Sequence, residues 1–515
     1  MQIFQLIRSK QQTKSLRRIQ VSMAGGEDHL NPIPPSLQSY TWLDISSLWF
    51  SMVVNVPSYY TASSLVSLGM SWYQALLTIV AGNTILLFPL LLNSHPGPLY
   101  GLSFPLLLRP SFGIYGAFVP SLLRALVACG WSAVESWIGA QSLFILLPSS
   151  FKSSSSWVLD PLPYLGTSVL EFLAFLLFLI AQLVVLFRGM NAIRFLSKFS
   201  SPVLLGLTGW LFVWAYTKAG GFGSMLSTPC RLNPTQFWAV FFPSLTANIS
   251  SWSSVALNIS DFTRFVRSQK DQVLGQVWIP VFVGVWSFVS LAIISSTEVI
   301  YGRIITSPID LMSEIDSPVI VKIIAFFGII LAIITTNIPA NFVAPANTFV
   351  SLSPSKFNFA QGVLATAIVS IFFQPWRILS SSRSFLYKWL VGYVTVVSPI
   401  TSILVADYYI LRRTILDVNG LYSTSTSGPY YYVRGFNIPA FAALGLSIAP
   451  LVPGFLHELG LVQQVGEVFV VIYDNAWLFG FVSAAIVYLA LSYWNRNGGT
   501  RSKTGLLEPL WSQSD

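Results

Sequence analysis

The chain has 515 residues, of which 54% are hydrophobic and only 9% charged, and its mean hydropathy is +0.66. A soluble globular domain carries nearer ~25% charged residues, so this composition excludes one and places the chain among polytopic membrane proteins. The formal charge of +9 does not point to nucleic acid, because Lys and Arg fall in loops and tails between apolar stretches, as orientation signals do. Cys129, Cys230 and three histidines supply neither a disulfide framework nor a metal ligand set, and no cofactor is expected.

Residues 1–40 form a basic tail. Arg8, Lys10, Lys14, Arg17 and Arg18 precede the first acid, Glu27, in the style of an organellar targeting segment; a cytoplasmic tail would read the same way. A plastid envelope and the plasma membrane are thus both open. The membrane domain runs over 41–494 and a polar tail over 495–515.

A helix needs about twenty apolar residues to cross the hydrocarbon core. Twelve such stretches are predicted: 43–66, 71–93, 115–147, 166–188, 195–218, 237–259, 275–296, 319–345, 359–376, 386–411, 437–456 and 474–494. Placing both ends inside puts Arg188, Arg194, Lys198, Arg264, Arg267, Lys270, Arg412, Arg413 and Arg434 in cytoplasmic loops. Lys152, Arg231 and Arg303 then face outward with Glu298, Asp310, Glu314 and Asp316, in keeping with the positive-inside rule.

Spans 1 and 6 share an interruption. Span 1 contains Ser51-Met52-Val53-Val54-Asn55-Val56-Pro57-Ser58, and span 6 contains Ala247-Asn248-Ile249-Ser250-Ser251-Trp252-Ser253-Ser254. Unwound backbone at membrane depth survives only where it lines a cavity or is buried in protein. Broken helices five spans apart point to an inverted-repeat transporter with a midplane site. The alternative is a proline kink in span 1 and serines bonding back to their own helix in span 6.

Span 3 carries Trp131 and, one turn on, Glu135. A carboxyl group at mid-bilayer costs roughly 2.5–3.5 kcal/mol even on the lenient insertion scale, so it should face a protein-lined cavity and serve a function. The i, i+4 spacing puts indole and acid on one helix face, which suits a flat, polar heteroaromatic solute. Span 8 adds Thr335, Thr336 and Asn341. The two hydroxyls, with carbonyls freed from span 1, form an oxygen shell for a hard monovalent cation; threonines bonded to their own backbone are the plainer reading. Asn341 offers donors and an acceptor to an amide or pyrimidine edge. Trp49 and Trp137 are read as packing aromatics, Asp261 as a helix cap or partner of Arg264, and Asp407 as a partner of Arg412 or Arg413. Arg124 needs a carbonyl or carboxylate inside the bundle.

Several segments together resemble the nucleobase–cation symporter-1 family. They are span 1; His95-Pro96-Gly97 through Tyr100-Gly101-Leu102-Ser103-Phe104-Pro105 and Arg109-Pro110-Ser111-Phe112-Gly113; span 3; Asn258-Ile259-Ser260-Asp261-Phe262-Thr263-Arg264; span 8; and Ala406-Asp407-Tyr408-Tyr409. The resemblance implies an all-α, LeuT-like fold of twelve transmembrane helices, the first ten in two inverted five-helix repeats with helices 1 and 6 broken. It implies a ligand sandwiched between Trp131 and Trp252, read by Glu135 and Asn341, with a backbone contact at an unwound Ser251 and Asn55 nearby. It also implies sodium held by carbonyls of Ser51, Val54 and Ala332 and hydroxyls of Thr335 and Thr336. Glu135 departs from the glutamine of the family's bacterial hydantoin transporter and looks closer to the plant-type plastid nucleobase branch. Protonated, such an acid both donates and accepts; cycling its proton, it would couple transport to H+.

The expectation is therefore a proton- or sodium-coupled importer of nucleobases, uracil or purines, and not an enzyme. Allantoin, hydantoin, cytosine, thiamine or a pyridine vitamin are alternative solutes. A membrane enzyme using Glu135 as acid or base, or a uniporter, are the rivals; no nucleophile–base pair or phosphate loop supports catalysis.

Overall fold

The computed structural model describes residues 30–146, 166–188, 190–227, 229–316, 318–353 and 356–497. The basic N-terminal segment and nearly all of the C-terminal tail lie outside the described residues. Among the described residues, eight helical stretches are long and apolar enough to cross a membrane by themselves. They correspond to predicted spans 2, 3, 4, 7, 8, 10, 11 and 12. Span 1, span 5 (Met190–Ala219), span 6 (Pro234–Leu257) and the shorter span 9 (Phe359–Ile371) complete the bundle. The protein is an integral, multi-pass membrane protein.

The way the spans pack carries the repeat. Span 1 lies against span 5 and span 6 against span 10; span 3 lies against 4 and span 8 against 9; span 2 meets 6 and span 7 meets 1. Each of these pairings maps onto another when five is added, and two further pairs, 2 with 7 and 3 with 8, map onto themselves; the close contact of span 3 with span 9 does not follow the pattern. Spans 11 and 12 pack on each other and on span 10, outside this pattern.

Span 1 breaks where the sequence predicts. Its halves, Trp42–Val53 and Val56–Ser67, are separated by Val54 and by Asn55 in an extended conformation (φ −136°, ψ 165°). Pro57 sits in the first turn of the second half, where its missing N–H costs nothing. The Asn55 amide ties the halves together, accepting from Ser58 N at 2.6 Å and donating to Met52 O at 2.6 Å.

Span 6 differs from the expectation. Its helix is continuous through Ala247–Ser254 and ends at Leu257, and it satisfies its polar side chains internally by bonding back one turn: Asn248 to Ser244 O, Ser250 to Thr246 O, Ser251 to Ala247 O and Ser253 to Ile249 O. The irregularity comes later, at Asn258 and the short turn Ser260–Thr263. Span 8 supplies its own distortion, a π-helical segment at Ile338–Phe342 that includes Pro339 and Asn341. Insertions of this kind occur often at functional sites.

Candidate substrate and cation site

Spans 1, 3, 6 and 8 enclose a cavity of about 380 Å³. Its wall includes Asn55, Trp131, Glu135, Ser251, Trp252 and Asn341, the six side chains singled out from sequence, brought together from positions up to 286 residues apart in the chain (55 to 341). Pro57, Ser58, Thr61, Ser254, Val255 and Ala340 complete it and were not anticipated. The signal for the first three was present, since they follow the predicted break by one or two helical turns.

Each indole is set by aromatic neighbours. Trp131 makes edge-to-face contacts with Phe385, Trp389 and Tyr393, at centroid distances of 6.1, 6.0 and 6.3 Å. Trp389 can approach because position 130 is glycine; a Cβ there would stand 2.2 Å from the Trp389 ring. The Tyr393 hydroxyl donates to the Ser250 carbonyl, joining span 10 to span 6 just before Ser251. Trp252 rests on Trp49, 5.6 Å away at 77°. Trp49 is thus a packing aromatic that supports a cavity wall. Trp137 turns away, packing on Trp376 at 5.1 Å and on Phe175.

The polar edge is ordered by a relay that sequence reasoning did not assemble. Asn341 donates to Asn337 Oδ1 at 3.0 Å; Asn337 donates in turn to Gln182 Oε1 at 2.8 Å and Ser136 Oγ at 3.1 Å; Gln182 donates to Ser136 at 2.8 Å. This fixes the Asn341 carboxamide and leaves its carbonyl oxygen for the cavity. Glu135 stands against Asn341 and is 3% exposed, with its Oε2 atom free of hydrogen bonds. Asn55 lines the same wall, but its amide is committed to the two halves of span 1. Ser251 lines it from a regular helix. Its backbone therefore belongs to the helical ladder and is not the free contact that an unwound segment would have offered.

Arg124 finds its partners here. Its guanidinium donates to Ser254 O at 2.6 Å, Asn258 Oδ1 at 3.1 Å and Ala340 O at 3.2 Å, so one buried cation pins the walls of spans 6 and 8. Asp261 accepts from Phe104 N and from Asn258, both at 3.1 Å. Burial pushes its carboxyl above the ordinary range, against the pull of Arg264 and these bonds. Asp407 pairs with Arg412 at 2.6 Å, both buried, as predicted.

Of the hydroxyls proposed for sodium, Thr336 reaches the span 1 break, whereas Thr335 bonds back to its own helix as in the plainer reading. Thr336 Oγ1 lies 3.0 Å from Ala332 O and 3.3 Å from the carbonyls of Ser51 and Met52. Thr335 Oγ1 lies 3.0 Å from Ala332 O and 2.9 Å from Leu331 O. Val54 packs on Ala332. Carbonyl and hydroxyl oxygens alone, drawn from two spans, fit a hard monovalent cation. Among the described residues no group of His, Cys, Asp and Glu could hold a metal ion.

A twelve-span bundle with a five-span inverted repeat, a first helix broken at mid-depth and a polar-edged cavity at that break is a secondary-transporter architecture. The chain belongs to the nucleobase–cation symporter-1 family: the family profile described as "Permease for cytosine/purines, uracil, thiamine, allantoin" matches residues 32–480. It is similar to the purine-uracil permease NCS1 of Arabidopsis thaliana, 52% identical over 461 residues that cover 90% of this chain and 76% of the relative. The allantoin permease of Bacillus subtilis is 32% identical over 469 residues, covering 89% and 92%. Among solved structures, Mhp1, a nucleobase-cation-symport-1 family transporter in a closed conformation with bromovinylhydantoin bound, superposes with a TM-score of 0.73 at 22% identity, covering 93% of this chain and 98% of that one. A Na+-coupled sialic acid symporter shares the fold at a TM-score of 0.59 and 13% identity, covering 88% and 90%.

Proposed function

We propose that this permease imports uracil, purines or both by proton- or sodium-coupled symport with alternating access. The observation that carries the reading is the single cavity in which two indoles, a buried acid and an oriented carboxamide meet. A planar heterocycle stacks between Trp131 and Trp252, while Glu135 and Asn341 read its polar edge. The acid can accept from a ring N–H when ionised and also donate to a ring carbonyl when protonated, a pairing that suits uracil and oxopurines. The alternative solutes, allantoin, hydantoin, cytosine, thiamine and pyridine vitamins, would meet the same walls; the Arabidopsis relative's name favours purine and uracil.

Coupling has two routes in this chain. Glu135 can carry a proton in and out with the solute. A sodium ion, where bound, would place positive charge between spans 1 and 8, and Ser51, Val54, Ala332, Thr335 and Thr336 would hold it. Alternating access then rocks the repeat-related spans about the fixed site. The polypeptide performs no chemistry on the solute. The basic tail directs it to a plastid envelope; a plasma-membrane location is the alternative.

The test is uptake of labelled uracil against a panel of unlabelled heterocycles, with and without sodium and with and without a pH gradient. Competition by uracil and purines at micromolar concentration, with dependence on one of the two ions, is the expected result. Uptake indifferent to both ions would replace symport with facilitated diffusion. Chemically altered solute after passage would replace transport with catalysis.

A further inference from the structure

A second and larger cavity, about 680 Å³, lies between spans 1, 5, 7 and 8. Asn55 lines this cavity and the first one, so the broken segment of span 1 forms the wall between them. Its lining is almost wholly apolar, with Leu204, Leu207 and Ile329 typical. Two hydrogen-bond donors in that lining have no partner: the Tyr59 hydroxyl, on a side chain 2% exposed, and the buried Trp286 Nε1. An unsatisfied donor in an apolar interior costs about 1–3 kcal/mol, and two residues of this lining each carry one. Protein packing does not require this at Tyr59, where Phe would fill the place without a donor.

The surroundings indicate the source of an occupant. Trp210, at the edge of the chamber, is exposed, and beside it Leu205 and Val213 of span 5 and Ile324 and Phe327 of span 8 are all more than half exposed. In a membrane these faces meet hydrocarbon, so the molecules that reach the gap between the two spans come from the bilayer. Small-molecule sites combine an apolar wall with a few placed polar groups. An acyl chain without an oxygen would satisfy the wall and leave both donors unmet.

We propose that this chamber is a second binding site, for an uncharged bilayer-derived lipid that presents a carbonyl oxygen to Tyr59 and Trp286 while its hydrocarbon fills the apolar remainder. The bound lipid buttresses the span 1 break from the side away from the heterocycle, next to Val54 and Ala332. It is therefore a modulator of transport and not a competitor for the first cavity.

The full-length permease in phosphatidylcholine vesicles is photolabelled with a fatty-acid methyl ester carrying an alkyl diazirine, and the crosslinked peptides are mapped. Label should concentrate on residues 204–211 and 325–332 and be displaced by excess untagged ester but not by uracil. Tyr59→Phe, which keeps the shape and removes the hydroxyl, should weaken ester binding about five- to tenfold. Ala325→Leu, which narrows the chamber, should reduce the focused label and lower the rate of uracil uptake while melting behaviour persists. Undiminished focused labelling of both variants would overturn the proposal. So would displacement by a plain alkane as effective as the ester, because the two donors would then select nothing. Neither readout depends on which heterocycle the first cavity carries.

Discussion

Trp252 is the most direct place to test the aromatic clamp. Replacing it with alanine removes one stacking face from the cavity and one edge-to-face contact, that with Trp49. Base–aromatic stacking contributes about 1–3 kcal/mol per base, so affinity for a planar solute should fall roughly 5- to 150-fold. Trp252 is buried, so its truncation also costs folding stability, about 3–5 kcal/mol for a core tryptophan, and uptake must be read per molecule at the membrane. Trp131→Ala removes the same kind of face but also three aromatic contacts, so its stability loss should be larger and its binding loss similar. Initial rates of labelled uracil uptake, normalised to membrane expression, should show KM raised about fivefold or more for both, with Vmax less affected. Trp137→Phe, whose ring packs on Trp376 away from the cavity, should leave KM unchanged. Wild-type KM in both alanine variants would refute the clamp.

Glu135→Gln should flatten the rise of uptake at acidic external pH if the carboxyl group carries the coupled proton; a pH profile identical to wild type removes it from that role. Thr336→Val deletes the hydroxyl that bridges Ala332 to Ser51, so sodium-stimulated uptake should disappear while Thr336→Ser retains it; equal behaviour of the two variants in a sodium titration would refute the cation shell. Arg124→Met leaves the carbonyls of Ser254 and Ala340 without their donor and should cost on the order of 2–5 kcal/mol, read as a lower melting temperature in detergent; an unshifted melt would show that the pin is dispensable. Asp407→Ala strands the buried Arg412, at about 3–5 kcal/mol, measured by the same melt.

Composition and hydropathy determined much of this protein by themselves. A chain with 9% charge and twelve apolar stretches has nowhere to fold but a bilayer, and a helix is the element that satisfies its backbone there. The break in span 1 was equally legible, because Asn55 and Pro57 are a cap and a first-turn proline written in order along the chain. Glu135 stood out because a lone acid in lipid needs a reason. Span 6 was misread for a physical cause: Asn248, Ser250, Ser251 and Ser253 look like breakers in one dimension, yet each can close a bond on its own helix, and only the packed structure decides which outcome wins. The same limit hid the relay from Asn341 through Asn337 to Gln182 and the carbonyls claimed by Arg124. Those partners lie 130 to 216 residues away from Arg124 and 155 residues apart in the Asn337–Gln182 pair. Local sequence fixes which groups need a partner, whereas the packing of distant spans decides which partner each one finds.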